Sequence, residues 1–383
     1  MKIAFFSPAP FSRILGATKN RIELGEALNQ IGWESSFIGN ELLGLPKDKI
    51  ITGTQYNNAL KDFLLKNAAQ YDVIVYEYNS LPFDREMFSK NTLFVARPAI
   101  LNYHFKSVKI KYDLKSKVKN FYNAIKTLLA PQNKDGMLDV ATGETSMQNC
   151  DLMQVQNSFD AAILKNKFPD KKIIRVPNGI GRDRYDYFQN IQHNYNNVSA
   201  APRIAYVGTF DFRKGAMDFV TIVKEIKRAY PNVIFKMIGT KGMFQTVEKV
   251  LSFFPKEVRE NIVVIPEFEP NELPELLRDC HLGVFPSYIE SFGFGALEMM
   301  CSGLPVVGYK CAGPSDFLIK DLLLEIGDTK SLIEKVKSLI ADDNLIEAKS
   351  VEAKKIAEEF NWDKIAKKVD VIYRQELINK TVV

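Results

Sequence analysis

The 383-residue sequence is poor in the residues that carry metal or disulfide chemistry. It contains 4 cysteines and 3 histidines, and the cysteines show no metal-ligand spacing. This argues against a zinc ribbon or a disulfide-stabilised fold. No run is apolar enough to span a membrane, and the opening MKIAFFSPAP lacks the features of a signal peptide. These absences predict reduced thiols and a cytoplasmic protein.

Several nucleotide-binding and catalytic motifs are also missing. The sequence has no G-x-G-x-x-G, no G-x-x-x-x-G-K-[ST] and no G-x-S-x-G. A tandem-Rossmann oxidoreductase would need the first of these and is therefore not predicted. The absence of the last gives no sign of a serine nucleophile.

Positive charge is concentrated in the first half of a chain whose net charge is +5. The densest stretch, residues 105–122, has six lysines and one aspartate. Its lysines could form a solvated face, or they could meet an anionic acceptor or the anionic inner face of a membrane. No recognition motif accompanies them, so nucleic acid is not an expected partner. The candidate membrane contacts are Lys106, Lys109, Lys111, Lys115, Lys117 and Lys119.

Short apolar runs alternate with amphipathic helical stretches along the chain, which predicts parallel sheets flanked by helices. One series runs from KIAFFS to KKIIRVPNG and a second from PRIAYVGTF to LPVVGYK. The length fits two domains. We expect an N-terminal domain at 1–180, a polar linker at 181–201, a C-terminal domain at 202–361 and a final helix at about 362–383.

Ligands in such sheets bind beyond the carboxyl ends of the strands, so strand-to-helix junctions are the candidate sites. Gly16 lies before the first helix, where free backbone N–H groups can meet a phosphate. Arg213 and Lys214 lie at the start of a helix in YVGTFDFRKGAMDFV. Crowded cations at a helix N-terminus suit a diphosphate, although a solvated basic turn would have the same sequence.

Two glutamates stand eight positions apart in FPSYIESFGFGALEMMCSG. Glu290 falls in a loop after a strand, and Glu298 falls on a helix among apolar neighbours. Because an unpaired buried charge costs several kcal/mol, Glu298 needs a polar partner, either a side chain or a ligand. A ligand with a phosphate and several hydroxyls would suit both carboxylates and the glycine-rich backbone between them.

These segments together resemble the family 4 retaining glycosyltransferases, whose E-x7-E signature is matched by Glu290 and Glu298. The order of PNG, YVGTFDFRKG, IGTKG, the E-x7-E run and the closing FNWDKIAKKV matches that family over nearly the whole chain. The resemblance implies the α/β GT-B fold, in which two Rossmann-like doubly wound domains face a central cleft. It also implies that the final helix crosses back to the N-terminal domain.

The resemblance also implies roles for individual residues. Arg213 and Lys214 would hold the donor diphosphate and stabilise the leaving nucleotide. Glu290 would contact the donor sugar and Glu298 the ribose hydroxyls. The remaining donor-binding candidates are Gly16, Gly208, Thr209, Gly239, Phe268, Ser291, Phe292 and Gly293.

The acceptor side departs from the family pattern. Family members often carry an aspartate or histidine after the strand that here reads TLFVARPAI, where this chain has Arg97 and Pro98. His104 lies further on. Arg97 and His104 are the acceptor candidates, although a lone histidine is more often structural than catalytic.

The activity implied is transfer of a hexose, with retention, from a nucleotide sugar to a saccharide or lipid-linked saccharide in polysaccharide or glycan biosynthesis. UDP-glucose is the first choice of donor. The leaving phosphate would act as the base, so neither a cofactor nor a metal ion is expected. Two alternatives remain: a sugar-nucleotide epimerase of the same double fold, and a non-catalytic nucleotide-sugar-binding protein whose carboxylates form structural pairs with Arg213 or Lys214.

Overall fold

A computed structural model describes residues 1–13, 16–101, 103–113, 116 and 140–381, which form two compact units. The first unit takes its described residues from 1–103, 125–181 and 360–383. The second takes them from 104–124 and 182–359. The first half of the chain therefore contributes a short segment to the second unit.

The first unit is built on a six-stranded parallel sheet in the order β2-β1-β3-β4-β5-β6. Its strands are β1 (Lys2–Phe6), β2 (Glu34–Ile38), β3 (Val73–Tyr76), β4 (Leu93–Ala96), β5 (Leu152–Val155) and β6 (Ile173–Arg175). Its helices are α1 (Gly16–Asn29), α2 (Thr54–Asn67), α4 (Val140–Gln148), α5 (Ser158–Lys167) and α13 (Trp362–Thr381). The short helix α3 (Tyr103–Ser107) begins in the first unit and continues in the second.

Alternation along the strands divides the core of the first unit between the two faces of its sheet. In β1, Ala4 and Phe6 belong to one buried cluster, and Ile3 and Phe5 belong to another. The second cluster is completed by α1 and by the apolar side of α13. Burial on both faces explains why these strands are continuous apolar runs.

The second unit has another six-stranded parallel sheet, in the order β12-β11-β10-β7-β8-β9. Its strands are β7 (Arg203–Val207), β8 (Ile234–Ile238), β9 (Ile262–Ile265), β10 (Leu282–Phe285), β11 (Val306–Tyr309) and β12 (Leu323–Leu324). Its helices are α6 (Arg182–Gln189), α7 (Ala216–Ala229), α8 (Val247–Ser252), α9 (Leu273–Leu277), α10 (Phe294–Ser302), α11 (Thr329–Ile340) and α12 (Asp343–Ala357).

The strand order of the second sheet reverses between β7 and β10. The chain runs from β7 outward through β8 and β9, then returns to place β10 on the other side of β7. A reversal of this kind opens a crevice beyond the carboxyl ends of the two central strands, and ligands bind there in open α/β sheets. The loops after β7 and β10 are therefore the first place to look for a site.

The stretch interpreted from sequence as the linker 181–201 is partly helical. It contains α6, in which Arg184 and Phe188 are buried, and the structure groups it with the second unit. The polar and aromatic sequence of this stretch does not indicate a packed helix, because the partner of the buried Arg184 is 114 residues away.

No helix in the described ranges combines the length and apolar character that crossing a membrane requires. The four cysteines are all buried and unpaired. Burial raises the pKa of the Cys150 and Cys280 thiols to about 12, so both stay protonated at neutral pH.

Candidate functional site

The turn after β7 is held in one conformation by a capping aspartate and a glycine. The Asp211 carboxylate accepts a hydrogen bond from the Lys214 backbone N–H at 3.0 Å and another from the Thr209 hydroxyl at 2.9 Å. Gly215 has φ +81°, and a Cβ there would lie 2.0 Å from the Pro286 carbonyl oxygen. Only glycine fits a backbone that is both left-handed and packed this closely.

The loop after β10 is bonded directly to this turn. The Tyr288 N–H donates to the Arg213 carbonyl at 2.9 Å, and Arg213 Nη1 donates to the Ile289 carbonyl at 3.0 Å. The Lys214 ammonium forms an ion pair with Glu290 Oε1, and both side chains are largely buried. The two cations and the loop carboxylate predicted from sequence therefore lie together at the reversal between β7 and β10.

Two helices begin beside these loops. α7 starts directly after Gly215, and α10 starts after Gly293, whose φ is +94°. The first N–H groups of a helix have no partner within it and carry partial positive charge, so they favour an anion. Helix N-termini, two cations and a carboxylate form a set of groups that can hold a diphosphate and hydrogen-bond sugar hydroxyls.

Glu298 has a side-chain partner. Its Oε1 accepts a hydrogen bond from Arg184 Nη2 at 2.9 Å, and both side chains are buried. The sequence pattern identifies Glu298 as a candidate site residue but not Arg184, which is 114 positions away in the stretch interpreted as a linker. An arginine in a short polar helix carries no local signal of such a pairing.

Gly239 and Phe268 lie together at the end of β8. Gly239 has φ +76°, and a Cβ on it would lie 2.9 Å from Phe268 Cε1. The Gly208 N–H donates to the Ile238 carbonyl at 2.9 Å, which joins this turn to the one after β7. The small residues predicted to approach a donor therefore occupy neighbouring strand ends of one unit.

Ser291 and Phe292 are buried in the loop that leads into α10. The Phe292 ring packs 5.1 Å from Phe294 and 5.4 Å from Phe317, measured between ring centroids. Gly313 allows its backbone to pass so close that a Cβ there would lie 2.3 Å from Phe292 Cα. Packing thus fixes the path of the backbone whose N–H groups are the donor-binding candidates.

Arg97 does not have the exposure that an acceptor-binding residue needs. Its guanidinium donates to Asn20 Oδ1 at 2.6 Å and to Asn178 Oδ1 at 2.7 Å, and the residue is 1% exposed. Burial lowers the pKa of Arg97 to about 10. The geometry corresponds to a structural tie between the end of β4, α1 and the PNG segment, so direct acceptor contact by Arg97 is not supported.

The other candidates outside the second sheet are Gly16 and His104. Gly16 is the first residue of α1, and its carbonyl accepts the Asn20 amide at 2.8 Å. His104 lies in α3 and is buried. A buried imidazole in a short helix matches the structural alternative for this histidine better than an acceptor role.

The lysine-rich segment is not a uniform solvated face. Lys109 is exposed, but Lys111 forms an ion pair with the buried Asp218. Lys111 thus has a partner within the fold, although its side chain stays about half exposed, and its contact with a membrane remains a prediction. The side chain of Lys106 and the whole of Lys115, Lys117 and Lys119 lie outside the described residues.

Residues 188–360 match the family model described as glycosyl transferases group 1. A relative from Methanocaldococcus jannaschii, an uncharacterized glycosyltransferase, is 27% identical over 173 residues, which is 44% of this chain and 47% of that protein. A D-inositol 3-phosphate glycosyltransferase from Segniliparus rotundus is 25% identical over 45% of this chain and 40% of its own length. The chain thus spans less than half the length of these curated relatives.

Solved structures share the fold over almost the whole chain. Sucrose-phosphate synthase from Thermosynechococcus elongatus has a TM-score of 0.72 at 18% identity and covers 98% of each chain. The Anabaena protein HepE, solved in complex with UDP, has a TM-score of 0.69 at 14% identity over 98% of this chain and all of its own. These matches confirm the predicted double Rossmann architecture. Residues 188–360 are therefore similar to the group 1 glycosyl transferases, and the two Rossmann-like units have the GT-B fold of these solved structures.

Proposed function

We propose that this protein is a retaining glycosyltransferase that moves a hexose from a nucleotide sugar to a saccharide or lipid-linked saccharide. The observation that carries the proposal is the joining of Arg213, Lys214 and Glu290 where the strand order reverses between β7 and β10. Ligands bind at such reversals. The match of residues 188–360 to the model of the group 1 glycosyl transferases supports the same reaction class.

In this proposal, Arg213 and Lys214 stabilise the charge that develops on the leaving diphosphate. The guanidinium offers a planar pair of donors, and the ammonium acts as a point charge. Glu290 holds the Lys214 ammonium in place through their ion pair, and its second oxygen has acceptor capacity for a sugar hydroxyl. The leaving phosphate takes the proton of the acceptor hydroxyl, which attacks from the same side, so the anomeric configuration is retained.

Glu298 would accept hydrogen bonds from the ribose of the donor while it remains paired with Arg184. A carboxylate has about four acceptor sites, so one guanidinium contact does not exhaust its capacity. Arg184 forms an ion pair with the carboxylate and fixes its position inside a largely apolar helix. Recognition of ribose would then require both residues.

The ion pairs made by Glu290 and Glu298 also favour a second candidate function, that of a nucleotide-sugar-binding protein without catalysis. Both carboxylates of the E-x7-E signature have cationic partners, Lys214 for Glu290 and Arg184 for Glu298. Pairs of this kind can be purely structural. A protein of the second kind would bind the donor but release no nucleoside diphosphate when an acceptor is added.

UDP-glucose remains our first choice of donor, and the UDP complex of HepE is the comparison in its favour. For the acceptor we propose a saccharide carried on an anionic lipid, because the chain is net positive and Lys109 is exposed. Vesicles with and without anionic lipid test this. Equal binding to neutral vesicles would contradict it.

A donor screen tests the proposed function. Purified protein is mixed with UDP-, GDP- and ADP-sugars and mixed saccharide acceptors, and products are followed by mass spectrometry in buffer containing EDTA. We expect one UDP-sugar to give a product one hexose heavier, with the donor's anomeric configuration in its NMR spectrum. A free epimerised sugar nucleotide would support the epimerase, and an inverted product would contradict the mechanism.

A further inference from the structure

The carboxylate of Asp218 is the centre of a buried hydrogen-bond cluster outside the groups discussed so far. Its side chain is 4% exposed and lies in the first turn of α7. Oδ2 accepts from the Tyr288 hydroxyl at 2.7 Å and from the Tyr309 hydroxyl at 2.8 Å. A buried carboxylate is stable only when hydrogen-bonded and compensated by charge.

The positive charge that compensates Asp218 comes from Lys111, in the first half of the chain. Lys111 Nζ lies 2.7 Å from Asp218 Oδ1, 3.3 Å from the Gly327 carbonyl and 3.4 Å from the Thr329 hydroxyl. The next residue, Tyr112, packs its ring 5.1 Å from that of Phe212. We name residues 108–113 the strap, because this segment lies between 1–103 and 140–181 in sequence but is grouped with the second unit.

The cluster is connected to the proposed donor site through Tyr288. The Tyr288 hydroxyl is bonded to Asp218, and its backbone N–H donates to the Arg213 carbonyl at 2.9 Å. Glu290, the partner of Lys214, is two residues further along the same loop. The position of this loop therefore depends on where Asp218 holds the tyrosine ring.

We propose that Lys111 is a positioning residue for the donor site, acting through Asp218 and Tyr288 on the loop that carries Glu290. This rests on the proposed function for its effect on donor binding. Removal of Lys111 would leave the Asp218 carboxylate buried without its cation. The Tyr288 hydroxyl would then lose a fixed acceptor, and the loop would sample positions in which Arg213 and Glu290 are not aligned for a diphosphate.

The test compares Lys111→Ala and Tyr288→Phe with the matched control Lys224→Ala, in which an exposed lysine on the same helix as Asp218 is removed. Isothermal titration of each folded protein with UDP gives the affinity, and hydrogen exchange of the ligand-free proteins gives the order of the loop. We expect Lys111→Ala to weaken UDP binding about 10-fold and to speed amide exchange across residues 286–293. Lys224→Ala should behave like the wild type, and Lys111→Arg should recover most of the affinity.

The double variant Lys111→Ala/Tyr288→Phe should bind UDP no more weakly than the worse single variant, because both act through one contact chain. Wild-type-like exchange in residues 286–293 of Lys111→Ala would overturn the inference whatever the ligand. So would equal UDP affinities for Lys111→Ala and Lys224→Ala. A wild type that binds no nucleoside diphosphate would instead refute the proposed function, while the exchange measurement would still decide the role of Lys111.

Discussion

Arg184 Nη2 and Glu298 Oε1 are 2.9 Å apart and buried together in the second unit, although 114 residues separate them in sequence. The pair joins α6 to the second turn of α10. Removal of either partner would leave an uncompensated charge in an apolar setting, at a cost of about 3–5 kcal/mol. The glutamate that looks isolated in the sequence is therefore held by an arginine, and the contact with ribose that we propose for it can be tested separately.

Replacement of Glu298 by Gln should reduce the preference of the protein for UDP over 2′-deoxy-UDP. In the wild type a charged hydrogen bond to the ribose is worth about 1.5–3 kcal/mol, or about 10-fold or more in relative affinity. We expect Glu298→Gln to bind the two ligands almost equally. Competition binding with both nucleotides measures this.

Arg184→Lys provides the comparison for that experiment, since it keeps the charge while losing the planar fork. It should lose part of the ribose preference and keep most of the stability. If Glu298→Gln weakened UDP and 2′-deoxy-UDP by the same factor, the pair would be structural and Glu298 would not contact ribose.

Replacement of Arg213 or Lys214 by Ala should lower turnover by about 10²–10³-fold, by analogy with the loss of one oxyanion-stabilising donor. Lys214→Ala should also lower the melting temperature, because it leaves Glu290 buried without its partner. Lys241→Ala, which removes an exposed pair with Glu267, is the control. Near-normal turnover in both site variants would exclude them from the reaction.

Gly215→Ala should destabilise the second unit more than an ordinary glycine replacement. The left-handed backbone alone costs about 1–2 kcal/mol for alanine. A Cβ at 2.0 Å from the Pro286 carbonyl would also force the turn after β7 away from the loop after β10. Gly44→Ala is the matched control, because Gly44 has φ +73° but nothing within 4 Å of its Cβ position. Equal unfolding free energies for the two variants would contradict the close packing at Gly215.

Acid should destabilise the protein through His193 and His281. Burial lowers the pKa of both below the ordinary 6.5. His281 Nδ1 accepts the Arg203 N–H at 3.0 Å, which a protonated Nδ1 cannot do. The unfolded chain therefore takes up protons first, so the stabilisation is complete above pH 6.5 and is lost as pH falls through the lower folded pKa values.

Melting temperatures measured between about pH 7.5 and about pH 5.5 test this direction. The melting temperature of the wild type should fall over this interval, and that of His281→Asn should fall by a smaller amount. An identical pH dependence in the variant would show that other groups control acid unfolding.

The sequence predicts the strands and most helices well because both sheets are parallel and buried on both faces. The central strands are then short apolar runs, as in Val73–Tyr76 and Leu282–Phe285, whereas the edge strand Glu34–Ile38 is more polar and less buried. The glycine-bounded turns are also readable, since Gly215 and Gly293 mark backbones that other residues would strain. These strands and turns are determined by residues close together in the sequence, so they can be predicted from it.

Contacts between distant segments were not predictable in this way. Arg184 looks like part of a polar linker, and Lys111 looks like one of several surface lysines, because their carboxylate partners are more than a hundred residues away. Arg97 shows the opposite case: it follows a strand, as a ligand-binding residue would, but it is buried and donates hydrogen bonds to two asparagines. A single sequence gives the side chains, and only the fold shows which of them meet.

We propose above all that the groups joined at Lys214 and Glu290 act on a nucleotide sugar. The most direct test of this proposal is release of nucleoside diphosphate from the donor identified by the screen, with acceptor present, in wild type and in Arg213→Ala. We predict product formation by the wild type and a loss of about 10²–10³-fold in the variant. A wild type that binds no nucleoside diphosphate and responds only to NAD, or a variant as active as the wild type, would contradict the account.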